Sequence, residues 1–436
     1  MELSEIAGWG IVGAGGAGFP AHVKLAAHPE LLIVNAAECE PLLHKDGEIL
    51  HAYTDAVIEG ARLAQDVCGA KAVVIGIKKK HRDNVKLLES KIPSGMTVVT
   101  LPDFYPAGDE MTLVYMTTGR VIQPGALPSS CGCVVQNVET LFNIARKEPV
   151  TRKFLSVAGA VDRPASFSVP IGMSIDDVLA HVTITVKNYS IVLNGAMMGT
   201  VEPDLSTVVT KRTGGIIVLP NDHNVVRMLK RSESEKQVVF LAKSACDQCS
   251  YCTELCPRYL LGHPVRPEIS MRNRIFSLDE TGKAFAGSAF CCDCNLCTMY
   301  ACPEDLDPRG ACRIEKKILR AANIKWSGRT VKPHPMQAYR GTPTGRLKER
   351  LGLSQYTDHA PLVDLAKLPA KVTIPLSQHA GAPAVSCVKV GDTVKAGDCI
   401  GTASATISAS VHASIPGTVT AVSPAAITIE AKGNAQ

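Results

Sequence analysis

Two runs of cysteines carry the clearest chemistry in this sequence. The first run is Cys246-x-x-Cys249-x-x-Cys252-x-x-x-Cys256-Pro, and the second is Cys291-x-x-Cys294-x-x-Cys297-x-x-x-x-Cys302-Pro. Thiolates at i, i+3 and i+6 let one turn of backbone cover three corners of an iron–sulfur cube, while the fourth cysteine reaches a neighbouring cube. Sulfur is a suitable ligand because it is soft and stabilises iron of mixed valence. The spacing therefore predicts two [4Fe–4S] clusters.

The same crossover rule divides the ligands between the two cubes. The predicted ligands are Cys246, Cys249, Cys252 and Cys302 for one cube, and Cys291, Cys294, Cys297 and Cys256 for the other. The second run has four residues, not three, before its last cysteine, and Cys292 is a further thiol beside Cys291. Cys291 is assigned on spacing, and the choice between these two neighbours stays open.

Disulfides and zinc sites are the alternatives for a chain with 16 cysteines. Residues 1–5 lack the basic and apolar segments of a secretory signal, so we expect a reducing, cytoplasmic environment without a disulfide framework. Paired zinc ribbons would need two C-x-x-C knuckles separated by a loop, not a triple followed by Cys-Pro. No stretch approaches the roughly 18 uninterrupted apolar residues of a membrane helix, so we predict no integral membrane segment.

A glycine-rich segment near the N-terminus has the composition of a phosphate-binding loop. It reads Gly13-Ala-Gly15-Gly16-Ala-Gly18-Phe19-Pro20, and Lys24 follows. Consecutive glycines let backbone N–H groups approach a phosphate, the proline suits the first turn of a helix, and the lysine adds positive charge. A Rossmann fingerprint would need a strand of about five or six residues first, and only residues 9–12 precede the glycines. We therefore predict a nucleotide-phosphate loop of another fold, with a glycine-rich turn that binds nothing as the alternative.

The following segments alternate between strand and helix, which is typical of an α/β domain. The predicted strands are 31–34, 71–77 and 96–101, and the predicted helices are 54–67 and 84–91. Asn35, Glu38 and Glu40 follow the first strand, where their side chains could bond a heterocycle edge or ribose hydroxyls.

Two more polar motifs lie where helices are predicted to begin. Gly108-Asp109-Glu110 precedes one helix, and Asn137-Val-Glu-Thr140 opens the next. Acidic residues in a first turn also stabilise a helix by themselves, so simple capping is the alternative to ligand binding.

The chain changes character beyond residue 150. Residues 152–220 read as short strands with one short helix, and 373–430 consist of Val/Ile/Thr-rich segments punctuated by glycine. Residues 313–350 carry 11 Lys or Arg against two acidic residues, with several Pro and Gly, and read as a solvated linker; a docking strip for an acidic partner is the alternative. With 5% aromatic residues, no stacking platform for nucleic acid is expected.

In this order the motifs resemble a known family of electron-transfer flavoproteins. G-x-G-G-A-G-F-P-x-x-x-K, N-x-x-E-x-E-P, G-[DE]-E-x-T and N-V-E-T, ahead of an iron–sulfur region, are similar to the FMN-binding subunit of respiratory complex I. The chain resembles the RnfC-type electron-transport proteins more closely, because both contain A-E-C-E-P and Y-P-x-G. The resemblance implies a site for FMN and NADH, in which the protein needs no general acid or base for hydride transfer.

The resemblance also implies roles for individual residues. The implied FMN contacts are Gly13, Gly15, Gly16, Lys24, Asn35 and Asn137. The implied flavin-side or NADH-side contacts are Phe19, Glu38, Glu40, Asp109 and Glu110. The predicted cofactor-binding set is completed by Gly18, Gly108 and Thr140.

The predicted fold class is multidomain α/β. The predicted parts are a complex I-like FMN/NADH-binding α/β domain (1–150), a β-grasp SLBB domain (151–222), a helical bacterial-ferredoxin-like 2[4Fe–4S] domain (235–322), a basic linker (323–372) and an all-β barrel sandwich similar to biotinyl and lipoyl domains (373–431). No lysine lies between Lys395 and Lys432 to bear a swinging cofactor, so we expect the barrel to dock or pack.

The order of the domains distinguishes this chain from the RnfC-type proteins. RnfC-type proteins carry I-P-L-x-Q-H-x-G-A-P ahead of the flavin loop, whereas here it occupies residues 374–383. This order resembles the cobalamin reductases of propanediol-utilising bacterial microcompartments. The resemblance implies NADH as electron donor, cobalamin as substrate, an adenosyltransferase and shell proteins as partners, and a cytoplasmic location inside a microcompartment. Whether the chain forms a homo-oligomer stays open.

Three other functions stay open at this point. The first is an RnfC-like component of a membrane complex with a protein acceptor, and the second is a non-enzymatic electron-wire or scaffold protein. The third is a redox-responsive shell protein. The chain has no D-x-H-x-x-G loop for ligating cobalt from below, so cobalamin would have to bind transiently.

Overall fold

The computed structural model describes residues 1–276, 285–328 and 330–431. Residues 277–284 of the predicted cluster domain and Arg329 of the predicted linker lie outside the described residues.

The N-terminal domain is a parallel sheet covered by helices. Its elements are α1 (Leu3–Gly8), α2 (Ala21–Leu25), β1 (Leu31–Ala36), α3 (Lys45–Ala52), α4 (Thr54–Cys68), β2 (Ala72–Lys78), α5 (Arg82–Lys91), β3 (Met96–Leu101), β4 (Phe104–Tyr105), α6 (Glu110–Thr118), β5 (Cys133–Asn137) and α7 (Val138–Arg146), with a 3₁₀ turn at Pro128–Cys131. The strand order is β3-β2-β1-β5, and every pair is parallel. Leu32, Ile33 and Val34 of β1 are fully buried because helices cover both faces. In this sheet Asn35 and Asn137 are paired neighbours at the carboxyl edge.

The second domain is built on a mixed sheet. Its elements are β6 (Arg152–Gly159), β7 (Ala165–Pro170), α8 (Ile175–Leu179), β8 (Tyr189–Leu193), β9 (Thr200–Glu202), β10 (Gly215–Pro220) and, leading out of it, α9 (Asn224–Arg231). The central strands β6 and β10 are parallel, and the other pairs among β6–β10 are antiparallel.

The cysteine runs lie in a helical domain. Its elements are α10 (Glu235–Ala245), α11 (Tyr251–Glu254), α12 (Pro257–Leu260), α13 (Pro267–Phe276), a 3₁₀ turn (Ala286–Phe290), a π-helical turn (Cys297–Ala301) and α14 (Pro308–Ala321). The π turn lies where the second run has its extra residue, and the Cys302 N–H bonds the Cys297 carbonyl across it at 3.1 Å. A π turn accommodates one more residue than an α turn, so it absorbs the insertion before the last cysteine.

Residues 342–363, which lie within the predicted linker, are folded into the molecule. This segment forms β11 (Thr342–Pro343), α15 (Thr344–Leu351) and β12 (Leu362–Val363). Strand β11 pairs with β4, strand β12 pairs with β7, and α15 packs between domains. The side chains of Leu347, Leu351 and Leu353 are fully buried. Those three leucines form the buried apolar face of this segment. The pattern was not recognised in the sequence because many charged residues and prolines surround it.

The C-terminal domain is an all-β barrel sandwich. Its strands are β13 (Lys371–Pro375), β14 (Val385–Ser386), β15 (Thr393–Val394), β16 (Cys399–Thr402), β17 (Val411–His412), β18 (Gly417–Val422) and β19 (Ala426–Glu430), in two sheets of four and three strands. The Ala380 N–H bonds the Gly18 carbonyl at 2.9 Å, and the Thr373 N–H bonds the Gly172 carbonyl at 2.9 Å. The barrel therefore packs on both preceding domains. Within the described ranges, no helix is long and apolar enough to cross a membrane.

Candidate functional site

A cleft of about 340 Å³ opens at the carboxyl edge of the N-terminal sheet. The predicted cofactor-binding residues that line it are Gly13, Gly15, Gly16, Phe19, Lys24, Asn35, Glu38, Glu40, Gly108, Asp109, Glu110 and Asn137. Ligands of open α/β sheets bind at this edge, where the loops that follow the strands converge. Gly18 and Thr140, the remaining two, do not line the cleft.

The glycine-rich loop is tied to the start of α7. The Ala14 N–H donates to the Thr140 hydroxyl at 3.0 Å, and the Gly13 N–H donates to the Phe19 carbonyl at 2.8 Å. Gly16 has a φ of +115°, a conformation that L side chains rarely adopt. Thr140 therefore fixes the loop from behind, and the glycines of the loop present backbone to the cleft.

Asn35 and Asn137 shape the floor of the cleft. The Asn35 amide nitrogen donates to the Gly108 carbonyl at 2.9 Å, and the Asn137 amide nitrogen donates to the Asp46 carboxylate at 2.8 Å. The Asn137 side-chain oxygen accepts from the Glu139 N–H at 3.0 Å and caps α7. Both asparagines thus combine a structural bond with a place in the cleft wall.

The two residues of the predicted acidic motif are already paired. Glu110 forms an ion pair with Lys24. Asp109 caps α6 through the Thr112 N–H at 3.1 Å, and Arg258 of the cluster domain binds both of its carboxylate oxygens at 2.6 and 2.8 Å. Asp109 therefore joins two domains beside the cleft.

Glu38 and Glu40 are half-buried carboxyl groups in the wall of the cleft. Burial raises the pKa of each to about 7. Glu40 accepts the N–H groups of Met197 and Met198, both at 3.0 Å, while Glu38 accepts the Asp46 N–H at 3.2 Å. Glu40 therefore connects the cleft to a loop of the second domain.

Several residues of the cleft were missed by the sequence analysis. Lys45 lies buried between Asp46, at 2.6 Å, and Glu139, at 3.0 Å. Gln136 lines the cleft with its side-chain nitrogen buried, and among the described residues that nitrogen has no partner. Arg212 reaches the cleft from the second domain. Of these three residues, only Gln136 could have been predicted from the sequence, because it immediately precedes the predicted site residue Asn137 at the end of β5.

The first group of predicted ligands surrounds a small cavity. Cys246, Cys249, Cys252 and Cys302 all line a space of about 30 Å³ in the cluster domain. Cys249 is exposed, whereas Cys252 and Cys302 are buried. Across the described parts of the chain, no three His, Cys, Asp or Glu residues are placed to hold a single metal ion. A cube differs from a single ion because its iron atoms occupy separate corners, each with its own thiolate.

The two cysteine runs wrap in the same way. In the first run Gln248 and Ser250 have positive φ angles of 58° and 67°, and in the second Asp293 and Asn295 have 57° and 67°. These positions are two and four residues after Cys246 and after Cys291. The repeated backbone conformation aligns Cys291, rather than Cys292, with the first cysteine of the other run.

The second cysteine group borders the cleft. Cys292 and Cys294 contribute to the cleft wall. Tyr105, which is buried and also lines the cleft, donates its hydroxyl to the Cys294 carbonyl at 2.7 Å. Whatever occupies the cleft therefore lies next to the second cysteine run.

Comparison with family models agrees with this architecture. Residues 6–146 match the Nuo51 FMN-binding domain, residues 245–307 match a 4Fe-4S dicluster domain, and residues 353–435 match the RnfC barrel sandwich hybrid domain. The predicted fold class is confirmed. The predicted domain boundaries stay predictions, and the RnfC match begins 20 residues before the predicted start of the barrel.

Comparison with individual proteins gives relatives along nearly the whole chain. Cobalamin reductase PduS of Salmonella typhimurium is 42% identical over 96% of this chain and 94% of its own, and that of Citrobacter freundii is 41% identical over the same shares. A component of the ion-translocating oxidoreductase complex of Actinobacillus succinogenes is 32% identical over 58% of this chain and 36% of its own.

A solved structure, the air-oxidised NAD⁺-reducing [NiFe]-hydrogenase, has a TM-score of 0.50 and 20% identity over 81% of this chain and 65% of its own, which supports the fold alone. The PduS matches cover the domain order as well as the motifs. The chain therefore belongs to the family of the PduS cobalamin reductases.

Proposed function

We propose that this protein is an NADH-dependent reductase of cobalamin that holds FMN and two [4Fe–4S] clusters. The observation that carries the proposal is the shared wall between the cleft and the second cysteine run, formed by Cys292 and Cys294. A flavin in the cleft would lie beside one cluster. The substrate is inferred from the relatives, which are cobalamin reductases by name.

The cleft has features that fit FMN. The glycine-rich loop offers backbone to a phosphate, and the buried nitrogen of Gln136 lacks a partner within the described chain, as expected where a heterocycle supplies the acceptor. We propose that the twelve cleft-lining residues named above contact FMN or NADH, and that Gly18 and Thr140 support the loop. FMN held by these residues would supply the conversion between the hydride of NADH and single electrons, and the clusters would supply one-electron acceptors.

The carboxyl groups beside the cleft have a distinct task in this proposal. Because the pKa values of Glu38 and Glu40 are raised to about 7, both can be neutral near physiological pH. A neutral carboxyl group donates a hydrogen bond and does not repel an anionic cofactor. The buried Lys45 pairs with Asp46 and Glu139 near them, and Lys153 also pairs with Glu139.

The cluster ligands are proposed from spacing and from the fold together. Cys246, Cys249, Cys252 and Cys302 would hold the cluster near the surface, and Cys291, Cys294, Cys297 and Cys256 the cluster beside the cleft. The matched φ angles of the two runs support Cys291. The π turn supports Cys302, because it keeps that thiol at the first cavity despite the inserted residue.

The cellular setting is a further part of the proposal. We propose that the protein acts inside a bacterial microcompartment and passes its product to an adenosyltransferase. The name of the relatives supports this setting, since PduS refers to propanediol utilisation. Contacts with shell proteins and a homo-oligomeric state belong to the same proposal.

An anaerobic product assay tests the function. The protein with FMN and clusters is mixed with NADH and cob(II)alamin, while an adenosyltransferase and ATP trap cob(I)alamin. Adenosylcobalamin that depends on both NADH and this protein is the expected result. Rapid dye reduction without any corrin product would instead favour an electron-wire protein or an RnfC-like component with a protein acceptor. Absence of NADH oxidation would contradict the enzyme assignment altogether.

A further inference from the structure

Arg212 crosses from the second domain to the glycine-rich loop of the first. It lies in the segment between β9 and β10, and its exposed side chain lines the cleft. Its Nε donates to the Gly16 carbonyl at 3.0 Å. The guanidinium is therefore held against the loop to which we assign phosphate binding.

Two neighbouring features keep the side chain in this position. The next residue towards the N-terminus, Lys211, is buried, and its Nζ donates to the Gly10 and Ser410 carbonyls at 2.6 and 2.8 Å. A Cβ at Gly18 would lie 2.9 Å from Cγ and 3.0 Å from Cδ of Arg212, so an added methyl group would force the Arg212 side chain to shift. This contact and the φ of +68° at Gly18 both favour glycine at this position, although Gly18 does not line the cleft.

Within the described part of the chain, Arg212 differs from the other cations that line the cleft in having no carboxylate partner. Lys24 is paired with Glu110, and Lys45 is paired with Asp46 and Glu139. Of the described cations that line the cleft, Arg212 has no carboxylate within ion-pair distance. Its Nε is used by the loop carbonyl, which leaves the two terminal nitrogens of the planar fork for a ligand.

We propose that Arg212 binds the phosphate of FMN through those terminal nitrogens. This inference rests on the proposed function, because it presupposes that the cleft takes FMN. A phosphate monoester carries about −1.5 to −2 charges at neutral pH, and Lys24 alone, already shared with Glu110, cannot neutralise it. A guanidinium fork matches the geometry of phosphate oxygens.

Comparison of FMN with riboflavin tests the inference, because riboflavin lacks only the phosphate. The full chain, with its clusters in place and its flavin removed, is titrated with each flavin, and quenching of flavin fluorescence gives the Kd. In Arg212→Ala the Kd for FMN should rise about 10- to 100-fold, as for a lost charged hydrogen bond, while the Kd for riboflavin changes less than about twofold. Arg212→Lys should fall between, since it keeps the charge without the fork. The control is Arg227→Ala, an exposed arginine of α9 in contact with Asn224.

Gly18→Ala provides an independent variant. The added methyl group would displace the Arg212 side chain, and it also strains the loop because Gly18 has a φ of +68°. The part of its effect that comes from Arg212 should be specific to FMN and should disappear in an Arg212→Ala background, whereas the part that comes from loop strain should persist there.

The outcomes distinguish failure of phosphate recognition by Arg212 from failure of the proposed FMN site itself. Equal losses of FMN and riboflavin in Arg212→Ala would overturn phosphate recognition and leave a structural role for Arg212. Unchanged FMN binding together with altered NADH or NADPH affinity would also overturn it, in favour of the dinucleotide. A wild-type protein that binds neither flavin would refute the proposed function itself.

Discussion

The guanidinium of Arg258 donates a hydrogen bond to each carboxylate oxygen of Asp109, at 2.6 and 2.8 Å, and both side chains are largely buried. Asp109 follows the loop after β4, and Arg258 lies in α12 directly after Cys256-Pro257. The pair therefore fastens the flavin-type domain to the cluster domain at the point where cleft and cysteines meet. The proximity of Asp109 raises the pKa of Arg258, so the guanidinium stays charged despite its burial.

Removal of one partner should be costly. Asp109→Asn leaves the Arg258 charge buried and unpaired, and we expect a loss of about 3–5 kcal/mol in the free energy of unfolding, measured by urea titration with circular dichroism. The double variant Asp109→Asn/Arg258→Met should lose less than Asp109→Asn alone. Asp364→Asn, an exposed site, is the control. A loss below about 1 kcal/mol in Asp109→Asn would show that the pair does not hold the domains together.

The first cysteine group should hold one cluster independently of the flavin. Cys252→Ala should lose about four of eight iron atoms per chain and retain FMN, as measured by iron and flavin analysis of anaerobically purified protein. Cys68→Ala, a buried cysteine of α4, should keep all of its iron. Loss of flavin with full iron in Cys252→Ala would invalidate the assignment of the two domains.

Cys291 and Cys292 should differ although they are neighbours. The repeated φ pattern predicts that Cys291→Ala removes the iron of the second cluster. Cys292→Ala should keep that iron, and because Cys292 lines the cleft it should change the flavin absorption spectrum instead. Iron analysis and absorption spectra of both variants decide between them. Full iron in Cys291→Ala with depleted iron in Cys292→Ala would reverse the ligand assignment.

Lys211 should make stability depend on pH. Burial lowers its pKa to about 7, and it lies near His412 and Cys399 where the barrel meets the other domains. The unfolded lysine titrates near 10.4, so between about pH 7 and 10 the unfolded state binds the extra proton and the free energy of unfolding rises with pH. The slope contributed by this group cannot exceed about 1.4 kcal/mol per pH unit.

Lys211→Met isolates this contribution. Urea unfolding of both proteins between about pH 7 and 9 should show a steeper rise in the wild type than in the variant. Absolute stability can fall in the variant, since the Gly10 and Ser410 carbonyls lose their donor. Parallel pH profiles would show that the amine is not neutralised by burial.

Local patterns in the sequence were sufficient to predict strands β1, β2 and β3 of the α/β domain and twelve of the residues that line the cleft. Asn35 and Asn137 each end a strand of apolar residues, and parallel pairing alone puts them side by side. Gly13 to Phe19 needs backbone conformations that glycine supplies, so its composition carries the signal.

Residues that make contacts between domains are not marked by any local pattern in the sequence. Arg258 reaches Asp109 beside the cleft, and Arg212 reaches the cleft itself. Both come from segments far along the chain, so their contacts depend on how the domains pack. The folded segment 342–363 was missed for the same reason, since its three buried leucines are spaced among prolines and charges. Burial of Glu38 and Glu40 likewise comes from the second domain and from α3, which no local pattern reports.

The order of electron entry tests the central claim most directly. In an anaerobic stopped-flow experiment, NADH is mixed with wild-type protein and with flavin-free protein, prepared by removing FMN or by Lys24→Ala if that variant loses it. Flavin absorbance in the wild type should fall before cluster absorbance, and clusters of the flavin-free protein should respond to dithionite but not to NADH. Cluster reduction by NADH at the same rate without flavin would contradict the assignment of the cleft as the entry site.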